Sequence, residues 1–180
     1  MTDAAHYRAT ETLPDGQTIE IRAQRPQDRE GIRAAIARAS EESLYHRFFA
    51  VKRSFSEKEV HYFLDIDFVG HVALLAVADE NGRPTIIGGV RYIVTQPGVA
   101  EISFSIIDEY QGRGLGTALM RHIAVLARKA GLKELVAEVM ADNTPMLQVF
   151  EHSGLIMSTK LTGTTVDVSL RFPEDEASAT

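Results

Sequence analysis

A seven-residue segment, Gln111-Gly112-Arg113-Gly114-Leu115-Gly116-Thr117, separates a run that alternates like a strand from a run with helical periodicity. Three glycines at alternate positions in that junction suggest a backbone loop that wraps an anion. Glycine reaches positive φ angles and lets a ligand come close to the main chain. The helix behind it offers unpaired N–H groups and the positive end of its dipole, both of which favour a phosphate. An ordinary glycine-rich turn is the other reading. Spacing excludes two commoner phosphate loops. A P-loop needs a Lys before its Ser or Thr, and Gly116 precedes Thr117. A dinucleotide fold spaces its last two glycines three apart near the start of a βαβ unit, whereas Gly112, Gly114 and Gly116 lie past the middle of the chain.

The flanking sequence predicts one α/β domain. Pro14-Asp15-Gly16 marks a turn, and Thr18–Ala23 alternates with the period of a strand. Pro26 suits the first turn of a helix with Ile32, Ala35, Ile36 and Ala39 as its apolar stripe. A second helical piece turns Leu44, Phe48 and Phe49 inward. A third begins at a capping box, Ser56 with Glu59, framed by Phe55 and Val60 as a hydrophobic staple. Val72–Ala78 and Thr85–Val94 read as strands joined by the tight turn Asn81-Gly82. Gly88-Gly89 predicts a bulge or a close backbone approach. After Pro97-Gly98, Ala100–Ile107 alternates, with Glu101, Ser103, Ser105 and Ile107 on one face. Behind the glycine loop, Leu115, Ala118, Leu119, Ile123, Leu126 and Ala130 form a helical stripe that Gly131 ends. Leu135–Met140 is a short strand, Thr144–His152 a helix, and Leu155–Leu161 with Thr165–Leu170 a closing hairpin. The order β-α-α-α-β-β-β-α-β-α-β-β implies a mixed sheet in which only the strands around the glycine loop run parallel.

Composition narrows the class. The 180 residues suit one domain, taken as 1–172, followed by an acidic, disordered tail over 173–180. There is no cysteine, so thiolate metal sites and a cysteine nucleophile are out. His46, His61 and His71 lack metal-ligand spacing, and no metal is expected. A net charge of −6 argues against nucleic acid, and no apolar run is long enough to span a membrane. The N-terminus has no secretion pattern, so a cytoplasmic location is expected.

Taken together these residues resemble the GNAT superfamily of acyl-CoA-dependent N-acyltransferases. That family's loop, Gln or Arg, two residues, Gly, one residue, then Gly or Ala, is matched by Gln111, Gly114 and Gly116. Its next element is a strand and a short helix introduced by Asn, here Asn143, and closed by Gly and an apolar residue, here Gly154-Leu155. The resemblance covers Thr18 to Leu170. It implies a central mixed, mostly antiparallel twisted sheet flanked by helices, with splayed parallel strands at the acyl-CoA site. A narrower resemblance, to bacterial protein lysine acetyltransferases, rests on Asp15-Gly16, Ile21-Arg22, Arg25-Pro26-x-Asp28 and Tyr45-x-Arg47-Phe48-Phe49. Those enzymes acetylate a lysine of acyl-CoA synthetases. The regulatory domains often fused to them do not fit in this chain.

The resemblance also implies roles. The CoA pyrophosphate would lie on the backbone of Gln111, Gly112, Arg113, Gly114, Leu115 and Gly116, with Thr117 adding a hydroxyl and the Arg113 side chain either pairing with a phosphate or facing solvent. Main-chain groups of Ile106 and Ile107 would pair with the pantetheine arm as an extra strand, and one amide there would polarise the thioester carbonyl. Asn143 would cap its helix, bond the pantetheine, or both. Glu101 is the expected general base, with Asp65 and Asp67 as weaker candidates. Many relatives place a proton-donating tyrosine where this chain has Phe150, with Ser153 a poor substitute. The expected acceptor is a protein lysine and the acyl donor acetyl-CoA. A small amine, or a sensor that binds acyl-CoA without turnover, are the alternatives.

Overall fold

The structure is a computed structural model that describes residues 4–38 and 64–174. The two helical pieces expected around Leu44 and Ser56, His46 and His61, and the tail beyond Glu174 lie outside the described residues. One sheet of eight strands runs β1-β2-β3-β4-β5-β6-β8-β7. Its strands are β1 (Arg8–Thr12), β2 (Thr18–Ala23), β3 (His71–Glu80), β4 (Arg83–Gln96), β5 (Val99–Ile106), β6 (Glu134–Met140), β7 (Ile156–Thr162) and β8 (Thr165–Arg171). Among the described residues three α-helices flank it: α1 (Arg29–Arg38), α2 (Leu115–Lys129) and α3 (Thr144–Glu151). Every pair of neighbouring strands is antiparallel except β5–β6.

The expected strands form where the apolar and alternating runs placed them, and β1, absent from the expected order, is added on the strand-like N-terminal side of the Pro14-Asp15-Gly16 turn. It pairs with β2 from Arg8↔Arg22 to Thr12↔Thr18, across a turn closed by Gly16 N–H to the Leu13 carbonyl at 2.8 Å. The Asn81-Gly82 turn has φ of 55° and 80° at its two residues, the double positive φ of a type I′ hairpin.

Gly88-Gly89 combines both predicted features. The β3–β4 register slips between Ala76↔Gly88 and Val77↔Ile86, which leaves Ile87 as the extra residue. A Cβ on Gly88 would sit 2.8 Å from the Ser105 carbonyl oxygen, and one on Gly89 3.0 Å from that of Leu74. The bulge is therefore at Ile87, and the glycines let the neighbouring backbones close in.

The helices cover the two faces. Asp28 fixes the start of α1 by accepting from Arg25 N–H at 2.6 Å and from two nitrogens of Arg22 at 2.7 and 2.9 Å. Arg22 thereby holds the carboxyl below its ordinary range against the opposing effect of burial. Ile32 and Ala35 of α1 pack on Leu75, Val77 and Ile86. The opposite face buries Leu115, Leu119, Ile123 and Leu126 of α2 in the main core with Leu74, Tyr92 and Ile102. Ala127 is buried in that stripe, while the expected Ala130 is exposed at the helix end, where Gly131 (φ 84°) turns the chain.

Candidate active site

Parallel pairing between β5 and β6 lasts three residues: Val99↔Glu134, Ala100↔Leu135 and Glu101↔Val136. Beyond Glu101 the strands part. A cleft of about 590 Å3 fills the gap, running from Ile32 and Ile36 past Phe104 and Ile106 to Gly116 and Asn143.

Backbone direction decides which residues of β5 face that gap. Ile107 N–H donates to the Ile87 carbonyl of β4 at 3.0 Å, and its own carbonyl accepts from Tyr110 N–H at 3.0 Å. Consecutive residues of a strand direct their backbone groups to opposite sides. The main-chain groups of Phe104 and Ile106 therefore point toward the open edge. The expectation for Ile107 is corrected: its backbone is spent on β4 and the following turn, and Phe104 is the residue that shares the open edge with Ile106. The Ile106 carbonyl already accepts from Gln111 Nε2 at 3.0 Å, which folds the Gln111 side chain back onto the strand end.

The glycine loop divides its work. Gly112 and Gly114 have φ of 71° and 88°, the conformation that side chains resist. Gly114 is the N-cap of α2 and brings no side-chain cap. The first helical bond is Ala118 N–H to the Gly114 carbonyl at 3.1 Å. The amides of Leu115, Gly116 and Thr117 precede it and are the orphan donors of a helix start. Gly116 is helical and serves packing, since a Cβ there would lie 3.2 Å from Val149 Cγ2 and 3.5 Å from Ile106 Cδ1. Leu115 is 1% exposed and offers only its backbone, while Thr117 is exposed on the cleft wall.

The Arg113 side chain turns away from the cleft. Its Nε and Nη2 donate to Asp15 Oδ2 at 2.9 and 2.8 Å, Nη2 also donates to Gln17 Oε1, and the guanidinium stands 4.4 Å over the Tyr110 ring. Gln17 N–H and Arg113 together keep the Asp15 carboxyl below its usual range. These contacts span about half the chain, so no local motif announced them.

Asn143 is the N-cap of α3, with Oδ1 accepting from Met146 N–H at 3.3 Å. That leaves its two amide donors for a partner in the cleft. Phe150 is 1% exposed and packs edge-on against Phe104, centroids 5.9 Å apart. Ser153 Oγ donates to the Phe150 carbonyl at 2.7 Å and so closes the helix end.

Glu101 is exposed and belongs to a shallower neighbouring hollow, which it shares with Glu138, Ser158, Lys160 and Asp167. The strand register puts it on the α1 face of the sheet, in line with Ile93 and diagonal to Arg91, which pairs with Ser103. Arg91 was not singled out from sequence. It donates to His71 Nε2 at 3.1 Å and to Gln24 Oε1 at 3.3 Å, and lines the main cleft. Burial and the Arg91 charge push His71 down to about 4, so its imidazole is neutral at pH 7. Asp67 Oδ1 accepts the backbone N–H groups of Val69, Gly70 and His71 at 2.9 to 3.0 Å, which makes it a turn-former and lowers its pKa. Among the described residues no three His, Asp or Glu side chains are grouped to hold a metal ion, and no helix there is long and apolar enough to cross a membrane.

The model of the acetyltransferase (GNAT) family matches residues 32–155. Acetyltransferase PA5475 of Pseudomonas aeruginosa is 34% identical over 137 residues, covering 76% of this chain and 74% of that protein. Acetyltransferase Pat of Mycolicibacterium smegmatis is 28% identical over 143 residues, 78% of this chain. The match takes in only 42% of Pat, so the chain spans under half of that relative's length. Among solved structures, the GNAT domain of S. lividans PAT superposes with a TM-score of 0.82 at 33% identity, covering 92% of this chain and 97% of that one.

Proposed function

Since the chain belongs to the GNAT acetyltransferase family and is an acyl-CoA-dependent acetyltransferase, we propose that it moves the acetyl group of acetyl-CoA to a lysine side chain of a protein. Residues 1–172 form the catalytic domain. The observation that carries the reading is the parted β5–β6 edge leading straight to the bare N-terminus of α2. An extended thioester arm fits beside Phe104 and Ile106 as an added strand. The pyrophosphate fits the amides of Leu115 to Thr117, which Gly112 and Gly114 leave uncovered.

The reaction is a direct transfer. A lysine with a pKa near 10.4 costs about 4.6 kcal/mol to deprotonate at pH 7. Glu101 takes that proton, directly or through water, and a positioned base contributes roughly 100- to 10,000-fold. The amine nitrogen bonds to the thioester carbonyl carbon, the C–S bond breaks, the nitrogen gives its second proton to water, and the thiolate leaves. A backbone N–H on the open edge of β5 stabilises the charge that forms on the carbonyl oxygen. Neither Phe150 nor the helix-closing Ser153 supplies a proton, so water relays the second amine proton to the thiolate.

Glu101 lies in an open hollow rather than an enclosed pocket, which supports a protein acceptor. A small amine bearing a carboxylate is the second reading. It is favoured by Arg91, whose guanidinium lies on the Glu101 face and lines the cleft. Incubation with radiolabelled acetyl-CoA and either a cell lysate or a panel of amines separates the two. Label entering proteins supports the first reading, and label confined to small molecules removes it.

A further inference from the structure

The turn between β1 and β2 reaches across the molecule and closes on the glycine loop. We propose that Asp15 and Gln17 are positioning residues for acyl-CoA binding, acting through Arg113, and that Arg113 is a strut of the loop rather than a ligand of phosphate. The inference rests on the reading of the loop as the pyrophosphate seat.

Four side chains form one network. Asp15 accepts its own Gln17 N–H on Oδ1 at 2.9 Å and Arg113 on Oδ2 at 2.8 and 2.9 Å. Gln17 accepts from Arg113 through Oε1 and donates from Nε2 to the Tyr110 hydroxyl at 3.2 Å. Tyr110 lies under the guanidinium, and Arg113 Nη1 reaches the Glu109 carbonyl at 3.4 Å. To reach a phosphate, Arg113 would have to give up both bonds to Asp15, its bond to Gln17 and its ring contact together.

The hairpin is itself anchored. Leu13 is 3% exposed in the core, and Glu11 holds Arg121 of α2 at 2.7 Å. Pro14 adds a wall: a Cβ on Gly114 would lie 3.0 Å from its Cδ. The hairpin therefore bounds the loop on one flank, while the cleft opens along Gly112, Gly114, Gly116 and Thr117.

Two positive-φ glycines, Gly112 and Gly114, make a loop that is costly to order. A brace lowers the share of that cost left for the ligand to meet. Exposed ion pairs contribute little to global stability, so the effect falls on binding.

Asp15→Ala makes the sign diagnostic, because it deletes a negative charge close to a polyanion seat. If Arg113 were a phosphate ligand, or Asp15 idle, the variant would bind CoA as well as wild type or better. The brace requires the opposite: about 5- to 10-fold weaker CoA binding by calorimetry in Asp15→Ala and in Arg113→Ala, with a double variant no weaker than either single one. In steady state the KM for acetyl-CoA rises by the same factor while kcat and the acceptor KM hold. Amide exchange of residues 111–117 without ligand quickens in Asp15→Ala, and Asp15→Glu restores part of the affinity. Unchanged or tighter CoA binding in Asp15→Ala, or additive losses in the double variant, overturns the brace. Wild type that binds no CoA, with loop exchange still quickened by Asp15→Ala, overturns the reading of the seat instead.

Discussion

Gly88→Ala tests how closely β4 and β5 must approach for the cleft to work. The added Cβ would sit 2.8 Å from the Ser105 carbonyl oxygen, 3.3 Å from Ile106 Cγ1 and 3.4 Å from Ile106 Cα. The nearest of these is backbone, so no rotamer change relieves it. Ordinary contact requires β5 to move outward by roughly 0.5 Å, and overpacking of this kind costs about 1–3 kcal/mol. Replacing a strand glycine returns about 0.5–1 kcal/mol of chain entropy, leaving a net loss of up to about 2.5 kcal/mol, centred near about 1.2 kcal/mol. At about 2–4 °C per kcal/mol for a chain of this size, Tm falls by up to roughly 10 °C, centred near about 4 °C.

The functional loss is expected to be larger, because the displaced segment is the edge proposed to seat the thioester. Misplacing reacting groups by an ångström can cost about 100-fold, so kcat/KM should drop roughly 10- to 100-fold with acetyl-CoA saturating or not. Gly82→Ala is the control. Its φ is 80° and nothing lies within 4 Å of the added Cβ, so it loses about 1 kcal/mol to backbone strain with no change at the cleft. Differential scanning fluorimetry and initial rates on both variants decide the matter. Equal activity losses in the two, or unchanged Tm and rate in Gly88→Ala, would refute the argument.

Three further outcomes follow. Glu101→Gln should lower kcat at pH 7 by roughly 100- to 10,000-fold with the KM for acetyl-CoA unaltered, and the deficit should shrink as pH rises toward the pKa of the amine; an unchanged kcat removes Glu101 as the base. His71, held near 4 in the fold against about 6.5 unfolded, takes up its proton in the unfolded chain first, so folding loses on the order of 2 kcal/mol as pH falls from about 6.5 to 4. Denaturant titrations of wild type and His71→Gln across that window should diverge, and parallel curves would exclude His71 as the source. Gly116→Asp should abolish CoA binding in calorimetry, since its Cβ already meets Val149 at 3.2 Å and its charge opposes a phosphate.

Much of this arrangement was legible because it is local. Alternation, apolar runs and turn signals together located seven strands, and positive-φ turns fell on Asn81-Gly82, Gly98 and Gly131. The Gly88-Gly89 pair betrayed a close approach, though not which residue would bulge. Longer-range facts were hidden for a physical reason. Whether Ile107 or Phe104 faces the open edge depends on the hydrogen-bond parity set by β4. Asp15-Gly16 reads as a turn, and nothing near it in sequence says that it holds Arg113 ninety-eight residues away. Arg91 is the one charged residue of the run Thr85–Val94, and only the fold sets His71 and Gln24 beside it.

The three-residue contact between β5 and β6 means that this sheet is one strand short. Its two halves, β1 to β5 and β6 to β8, are stitched along a seam that parts after Glu101. With a thioester arm seated as proposed, the co-substrate is the missing strand, and occupancy at 100 times Kd adds about 2.7 kcal/mol to folding. The enzyme's lifetime would then track the supply of its own acyl donor: a chain starved of acyl-CoA is also the chain most exposed to unfolding and proteolysis.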